Sequence, residues 1–293
     1  MGPLVSLITP SYNMARFLPE TIESVLSQTY SRIEYRILDG GSTDGTVEVL
    51  EGYGERVAWR SGPDDGAAAA IGQGLAEAEG TILGWVNADD LLMPWAVEEA
   101  VEAFEAHPEA VAVYGKGEWV TADGERITEY PTVPAAPEEF YRTCGICQPA
   151  CFFRAEAYQA AGGIDAGWGS AFDYDLWIRL AREGAFVHVP KVWAKSRMHR
   201  DNKTLGNRGQ AFEEGMAVIE RHFGYVPAEW VHSYEMWRKD GRDQFFEESR
   251  GSVWTWVGSL PEGMRRNRKQ LRRYLWDWFT LPAWAARLRV RSG

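Results

Sequence analysis

Cysteine is scarce in this 293-residue chain: there are three, all within one short stretch as Cys144, Cys147 and Cys151. No further thiols exist to complete a four-thiolate metal site, and the five histidines lie far from the CGIC pair in sequence. Reduced cysteines packed near a strand are therefore expected, as suits a cytosolic protein. Long apolar runs are absent too, and nothing approaches the roughly 20 residues that cross a bilayer. No signal-peptide pattern opens the chain; MGPLVS formally fits a myristoylation signal but leads straight into a strand, so the match is read as chance. No internal repeat is found. Positive charge is in deficit. The net charge is −11, yet residues 264–293 hold nine Arg or Lys against Asp277 alone, leaving −19 on the first 263 residues. A body so acidic argues against nucleic acid as a partner.

What is present is an ordinary soluble composition, 45% apolar and 25% charged. Runs rich in β-branched residues occur at Leu4–Ile8, Ile33–Leu38, Val57–Trp59, Ile82–Val86 and Val111–Tyr114. Segments with helical spacing separate them, at Phe17–Leu26, Thr46–Tyr53, Ala67–Ala78 and Trp95–Phe104. This alternation predicts an α/β fold with a mostly parallel sheet flanked by helices. In such sheets ligands bind beyond the carboxyl ends of the strands. Three polar clusters fall there: TPSYN (Thr9–Asn13), DGGSTDGT (Asp39–Thr46) and NADD (Asn87–Asp90). Crowded carboxylates at a strand end repel one another unless a cation or water offsets them. Downstream, GEWVTADGERITEY predicts a hairpin turning at Asp123-Gly124, and FDYDLWIRLAREG a helix over Phe172–Gly184. Beyond residue 205 the chain reads as helical, and half of its fourteen tryptophans lie between Trp230 and Trp284.

In this order SLITPSYN, ILDGGSTDGT, SGPDDG, WVNADDLLMP, QPACFFR…GGID and FDYDLWIRL, ending in SRMHRDNKT, resemble the inverting glycosyltransferases of family 2, of the bacterial glycan-assembly type with the GT-A (Rossmann-like) fold. The resemblance implies a glycosyltransferase domain over residues 1–205, its donor half about 1–115 and acceptor half about 116–205, followed by a helical extension over 206–293. It implies a nucleotide-diphosphate sugar donor, a uridine diphosphate sugar by preference, and a Mn²⁺ or Mg²⁺ ion. NADD stands at the metal motif: Asp89 is the implied ligand, with Asn87 and Asp90 shaping the ribose and metal surroundings and His199 a further candidate near the diphosphate. Thr9, Pro10, Tyr12, Asp39 and Asp64 fall on donor-side positions, Pro10 and Tyr12 against the base. Asp173 aligns with the catalytic base, and Gln148, Trp168 and Asp175 with the acceptor side. Read without the resemblance, Asp173 and Asp175 are helix-start acids, Asp39 is turn chemistry, His199 is a solvated loop residue and Tyr12 is core.

The chain departs from the pattern at DGAAAAIGQG (Asp65–Gly74), where relatives carry polar residues at Ala69, Gly72 and Gln73, and at Phe172, which replaces an acid. A catalytically silent sugar-nucleotide or glycan-binding scaffold therefore stays open as an alternative, and a nucleotidyltransferase as a third. No QxxRW motif occurs, so transfer of a single sugar is expected rather than chain synthesis. From Met264 to Phe279 the spacing predicts one amphipathic helix, with Leu271, Tyr274, Leu275 and Trp278 on one face and six basic residues opposite. Two readings stand for residues 264–291: an anionic membrane surface as partner, with a lipid-linked acceptor and a place on the inner face of the cell membrane, or a helix docked on the protein.

Overall fold

The computed structural model describes residues 2–133, 135, 139–200, 202–243, 245–247 and 252–280. It divides into two compact units: Met1–Pro137 with Gly145–His199, and Glu138–Cys144 with Arg200–Gly293. The division falls at His199/Arg200, where the sequence placed it after residue 205.

The first unit runs β1 (Val5–Ser11), α1 (Leu18–Leu26), β2 (Ile33–Asp39), α2 (Thr46–Tyr53), β3 (Ala58–Ser61), α3 (Ala67–Ala76), β4 (Ile82–Trp85) and β5 (Leu91–Leu92). It continues with α4 (Ala96–Ala106), β6 (Ala110–Val120), β7 (Arg126–Glu129), β8 (Cys151–Arg154), α5 (Ala155–Ala160), α6 (Phe172–Glu183) and β9 (Ala185–Arg197). One sheet holds the strands in the order β3-β2-β1-β4-β8-β6-β9-β5, with β7 paired to β6. The first four are parallel, β8 is antiparallel to β4 and β6, and β9 is parallel to β6.

β1 is buried along its whole length, as a central parallel strand covered on both faces must be. On α1, Leu18, Ile22 and Val25 recur at i, i+4 and i+7 and are all buried. Burying each such side chain is worth about 1.5–3 kcal/mol. α3 lies so close to the sheet that a Cβ on Gly74 would stand 2.8 Å from Ile8 Cγ2 and 2.9 Å from Leu38 Cδ1. Only glycine permits that approach. The hairpin turns as expected, with Gly124 at φ +85° and its N–H donating to the Thr121 carbonyl at 3.0 Å.

The sequence reading marks no strand over residues 185–197; β9 there contains Pro190, which lacks a ladder donor. The structure absorbs the proline in a bulge. His188 pairs with Tyr114 and Val192 with Lys116, so residues 189–191 face only Gly115 on β6.

The second unit contains α7 (Lys203–Gly206), α8 (Arg208–Phe223), α9 (Ala228–Asp240), α10 (Val253–Arg266) and α11 (Leu271–Phe279). Its core joins Phe212, Met216, Tyr225, Val231, Trp256, Tyr274 and Trp278. α8 and α9 end on Gly224 and Gly241, both with positive φ, the left-handed stop that glycine adopts without strain. The single helix expected over 264–279 is instead two. The break is Asn267, a buried side chain that accepts the Val226 N–H at 2.8 Å and donates to the carbonyls of Val226 and Gly263 at 3.0 Å. The apolar stripe of α11 turns inward, with Tyr274 and Trp278 buried, so that stripe is docked rather than free. Residues 281–291 of the expected basic tail lie outside the described residues. No described helix is long and apolar enough to cross a membrane.

Candidate active site

The strand registers bring three carboxyl ends level: Ser11 of β1 stands beside Asp39 of β2, and Asp39 beside Ser61 of β3. The Asp39 carboxylate is buried and accepts from Gly41 N (3.1 Å), Ser42 N (2.9 Å), Ser61 Oγ (2.6 Å) and the Ser42 hydroxyl. A carboxylate has about four acceptor sites, so its own loop and Ser61 of β3 fill them. Asn13 takes the left-handed conformation that asparagine tolerates (φ 53°), and its Oδ1 accepts Thr43 N at 2.9 Å while its own N–H donates to Ser42 Oγ at 2.7 Å. Asp44 accepts Ala15 N at 3.0 Å and the Thr46 hydroxyl at 2.5 Å. Sequence reading passed over these loop-knitting roles of Asn13, Ser42 and Asp44, which follow from the usual turn chemistry of such side chains.

Of the β1 residues, Thr9 is buried against the Tyr35 hydroxyl at 3.0 Å, and Pro10 is buried within the strand. Tyr12 is different: it is 60% exposed just beyond the strand, not core. Asp64 is exposed, and its carboxylate lies over Gly40, where a Cβ would stand 3.1 Å from it.

The loop after β4 has two layers. In the inner layer Asn87 Nδ2 donates to Asp90 Oδ2 at 3.1 Å and to Gln148 Oε1 at 3.0 Å, and Gln148 Nε2 donates to the Trp85 carbonyl at 2.8 Å. Asp90 is buried and accepts the Arg197 N–H at 2.9 Å. Burial, reinforced by the neighbouring Asp89 charge, pushes the Asp90 carboxyl up to about 8 against these hydrogen bonds. Gln148 and Asp90 thus brace the loop.

In the outer layer Asp89 Oδ2 lies 3.0 Å from His199 Nε2, across 110 residues of sequence. The cause is the sheet edge: β5 pairs antiparallel with the end of β9, Leu91 opposite Lys195, which carries His199 back to Asp89. The Phe17 ring packs on His199 at 4.7 Å, and the Arg197 guanidinium lies 4.9 Å from the same ring while pairing with Glu20 at 2.8 Å. Two donors bound side by side to one small cation at about 2.1 Å would lie about 3 Å apart, so the pair fits a divalent ion that keeps water and phosphate oxygens as its other ligands. No group of three or more His, Cys, Asp or Glu capable of holding a metal occurs among the described residues.

Asp173 lies half-buried in the first turn of α6, Oδ1 accepting the Tyr174 N–H at 2.7 Å. Trp177 stacks on Trp85 at 5.4 Å and Phe172 approaches the same ring at 6.1 Å, which fixes the start of α6 beside the end of β4. Phe172 is therefore an anchor for the start of α6. Asp175 is fully buried and paired to Arg179 Nη2 at 2.7 Å. Trp168 is half-buried in the loop before α6, its backbone N–H donating to the Asp165 carbonyl at 3.2 Å.

In α3, Ala68 and Ala70 are buried, Ala69 and Gly72 are half-buried, and Gln73 is exposed. No disulfide joins the three cysteines, and burial pushes the Cys147 thiol up, away from reactivity.

Residues 6–162 match the family described as Glycosyl transferase family 2. The chain is 32% identical over 222 residues to a chondroitin synthase of Pasteurella multocida (strain Pm70), covering 75% of this chain and 23% of that protein. Its fold is similar to that of S. aureus TarS 1–349 in complex with UDP-GlcNAc, with a TM-score of 0.64 at 15% identity, over 92% of this chain and 82% of that one. It is also similar to the mannosyltransferase PcManGT from Pyrobaculum calidifontis in complex with GDP-Man and Mn²⁺, with a TM-score of 0.57 at 19% identity, over 100% and 80% of the two chains.

Proposed function

The chain belongs to glycosyl transferase family 2, and on that premise we propose that it moves one sugar from a nucleotide-diphosphate sugar, UDP-linked by preference, to a hydroxyl of a glycan or lipid-linked acceptor with inversion. The observation that carries the reading is the Asp89–His199 pair at the carboxyl edge, beside the loop that Asn87, Asp90 and Gln148 hold in place. A bound Mn²⁺ or Mg²⁺ supplies Lewis-acid neutralisation of the departing diphosphate. Asp89 Oδ2 and His199 Nε2 would hold it, and the exposed Tyr12 ring offers a face to the base. The Asp173 carboxylate takes the acceptor proton as the new bond forms, when that hydroxyl becomes acidic. An anionic membrane surface is the proposed partner of the basic, Trp-bearing stretch 264–291, at the inner face of the cell membrane.

Because the chain spans about a quarter of the chondroitin synthase it matches, the proposal covers a single transfer unit and not polymerisation. The competing reading, a silent sugar-nucleotide binder, draws on the alanine run in α3 and on the filled Asp39 carboxylate. Incubation with nucleotide sugars and candidate acceptors decides between them. Release of nucleoside diphosphate with product of inverted anomeric configuration, lost in Asp173→Asn, supports transfer. Nucleotide binding with no release by wild type supports the scaffold, and release of pyrophosphate supports a nucleotidyltransferase.

A further inference from the structure

α10 and α11 form an antiparallel hairpin. Trp256 stacks on Trp278 at 5.2 Å, Trp278 Nε1 donates to Ser259 Oγ at 3.3 Å, and Gly263 leaves room for the Tyr274 ring. With Trp256 and Trp278 facing each other, a helical phase of about 100° per residue turns Val253, Trp254 and Val257 of α10 to the same side as Arg272, Trp276 and Phe279 of α11. These are not scattered apolar residues. Five of the nine large hydrophobics exposed among the described residues lie here, Trp254 at 78% and Trp276 at 74%.

The charges beside them are of one sign. Arg268, Lys269 and Arg272 are exposed, and among the described residues no carboxylate pairs with them. The nearby acids are turned elsewhere: Asp277 accepts the Tyr225 hydroxyl at 2.6 Å and Ala228 N at 2.9 Å, and Glu262 pairs with Arg265 and Arg266. The chain beyond this end, residues 281–293, adds Trp284, Arg287, Arg289 and Arg291 and no acid.

We propose that this face of the α10–α11 hairpin, with Trp254, Trp276 and Phe279 at its centre, docks on the headgroup region of an anionic bilayer. The inference rests on the membrane partner of the proposed function but places the contact on residues other than the apolar stripe of α11, which is spent inside the unit. A bilayer interface accepts tryptophan and phenylalanine rings beside cations without a shaped pocket. A second copy is disfavoured, since a two-fold contact through this face would set like charges against one another.

The test is co-sedimentation of the full-length protein with phosphatidylcholine vesicles, with and without phosphatidylglycerol. Wild type is compared with the double variant Trp254→Ser, Trp276→Ser and with the triple variant Arg287→Gln, Arg289→Gln, Arg291→Gln. The expected result is binding to the anionic vesicles only, weakened about tenfold or more in the tryptophan variant, with its melting temperature and nucleotide binding unchanged. Binding by the tryptophan variant equal to wild type, with loss confined to the arginine variant, overturns the proposed face and leaves the membrane partner standing. Absence of wild-type binding to either vesicle overturns both. A solution mass of two chains that falls to one in the tryptophan variant assigns the face to self-association and overturns the proposal.

Discussion

Replacing Gln148 by alanine separates a brace from an acceptor contact. The side chain donates to the Trp85 carbonyl at 2.8 Å and accepts from Asn87 Nδ2 at 3.0 Å. Truncation removes both bonds inside a packed region, where a polar group left unsatisfied costs about 1–3 kcal/mol. Asn87 keeps its second bond, to Asp90, so the loss centres on the carbonyl. For a unit of this size each kcal/mol lowers the melting temperature by about 2–4 °C. The variant should therefore melt roughly 2–12 °C below wild type, read by differential scanning calorimetry. Because the Asn87–Asp90 loop carries Asp89, nucleotide affinity in the presence of Mn²⁺ should fall as well, while the KM for acceptor stays near wild type. An unchanged melting temperature together with a raised acceptor KM would refute the bracing argument and favour the acceptor-side role.

Other substitutions sort the remaining residues. Asp175→Ala removes the carboxylate partner of the largely buried Arg179 guanidinium and should destabilise the protein by about 3–5 kcal/mol in denaturant titration; stability unchanged within error would show the pair to be dispensable. Tyr12→Ala should leave stability within about 0.5 kcal/mol of wild type and weaken nucleotide binding by about 1–3 kcal/mol, the range for an aromatic ring stacked on a base. The folded Asp90 carboxyl sits at about 8, above its unfolded value, so it contributes most below the unfolded value near pH 4 and loses that contribution as pH rises through about 8. Metal-free wild type should therefore lose stability relative to Asp90→Asn across that window, and parallel curves in chemical denaturation would contradict the assignment.

The first 115 residues were legible because each of their elements is local. The strand ends at Asp39 and Trp85 and the helix over Thr46–Tyr53 follow from short apolar runs punctuated by turn residues. What was not legible depends on partners distant in sequence. Asp175 looks like any helix-start acid until Arg179 is seen to hold it in the core. Gln148 carries no local sign that its amide spans Trp85 and Asn87. β9 was not read as a strand, and the bulge opposite Gly115 accommodates its Pro190. The amphipathic pattern of α11 specified a helix with one apolar face, but periodicity alone is the same for a docked face and a membrane-bound one. Tyr274 and Trp278 are docked, and the exposed aromatics are their neighbours. The approach of His199 to Asp89 was suggested by resemblance alone; the β5–β9 ladder supplies its physical cause.

The most direct measurement is thermal stabilisation by a panel of nucleoside diphosphates and their sugars, with and without Mn²⁺, on wild type, Asp89→Ala and His199→Ala. At a hundred times its Kd a ligand adds about 2.7 kcal/mol. The account predicts that shift for a uridine nucleotide with Mn²⁺, a much smaller one without metal, and its loss in both variants. Equal stabilisation with and without Mn²⁺, or a full shift retained in Asp89→Ala, would contradict a donor site built on the Asp89–His199 pair.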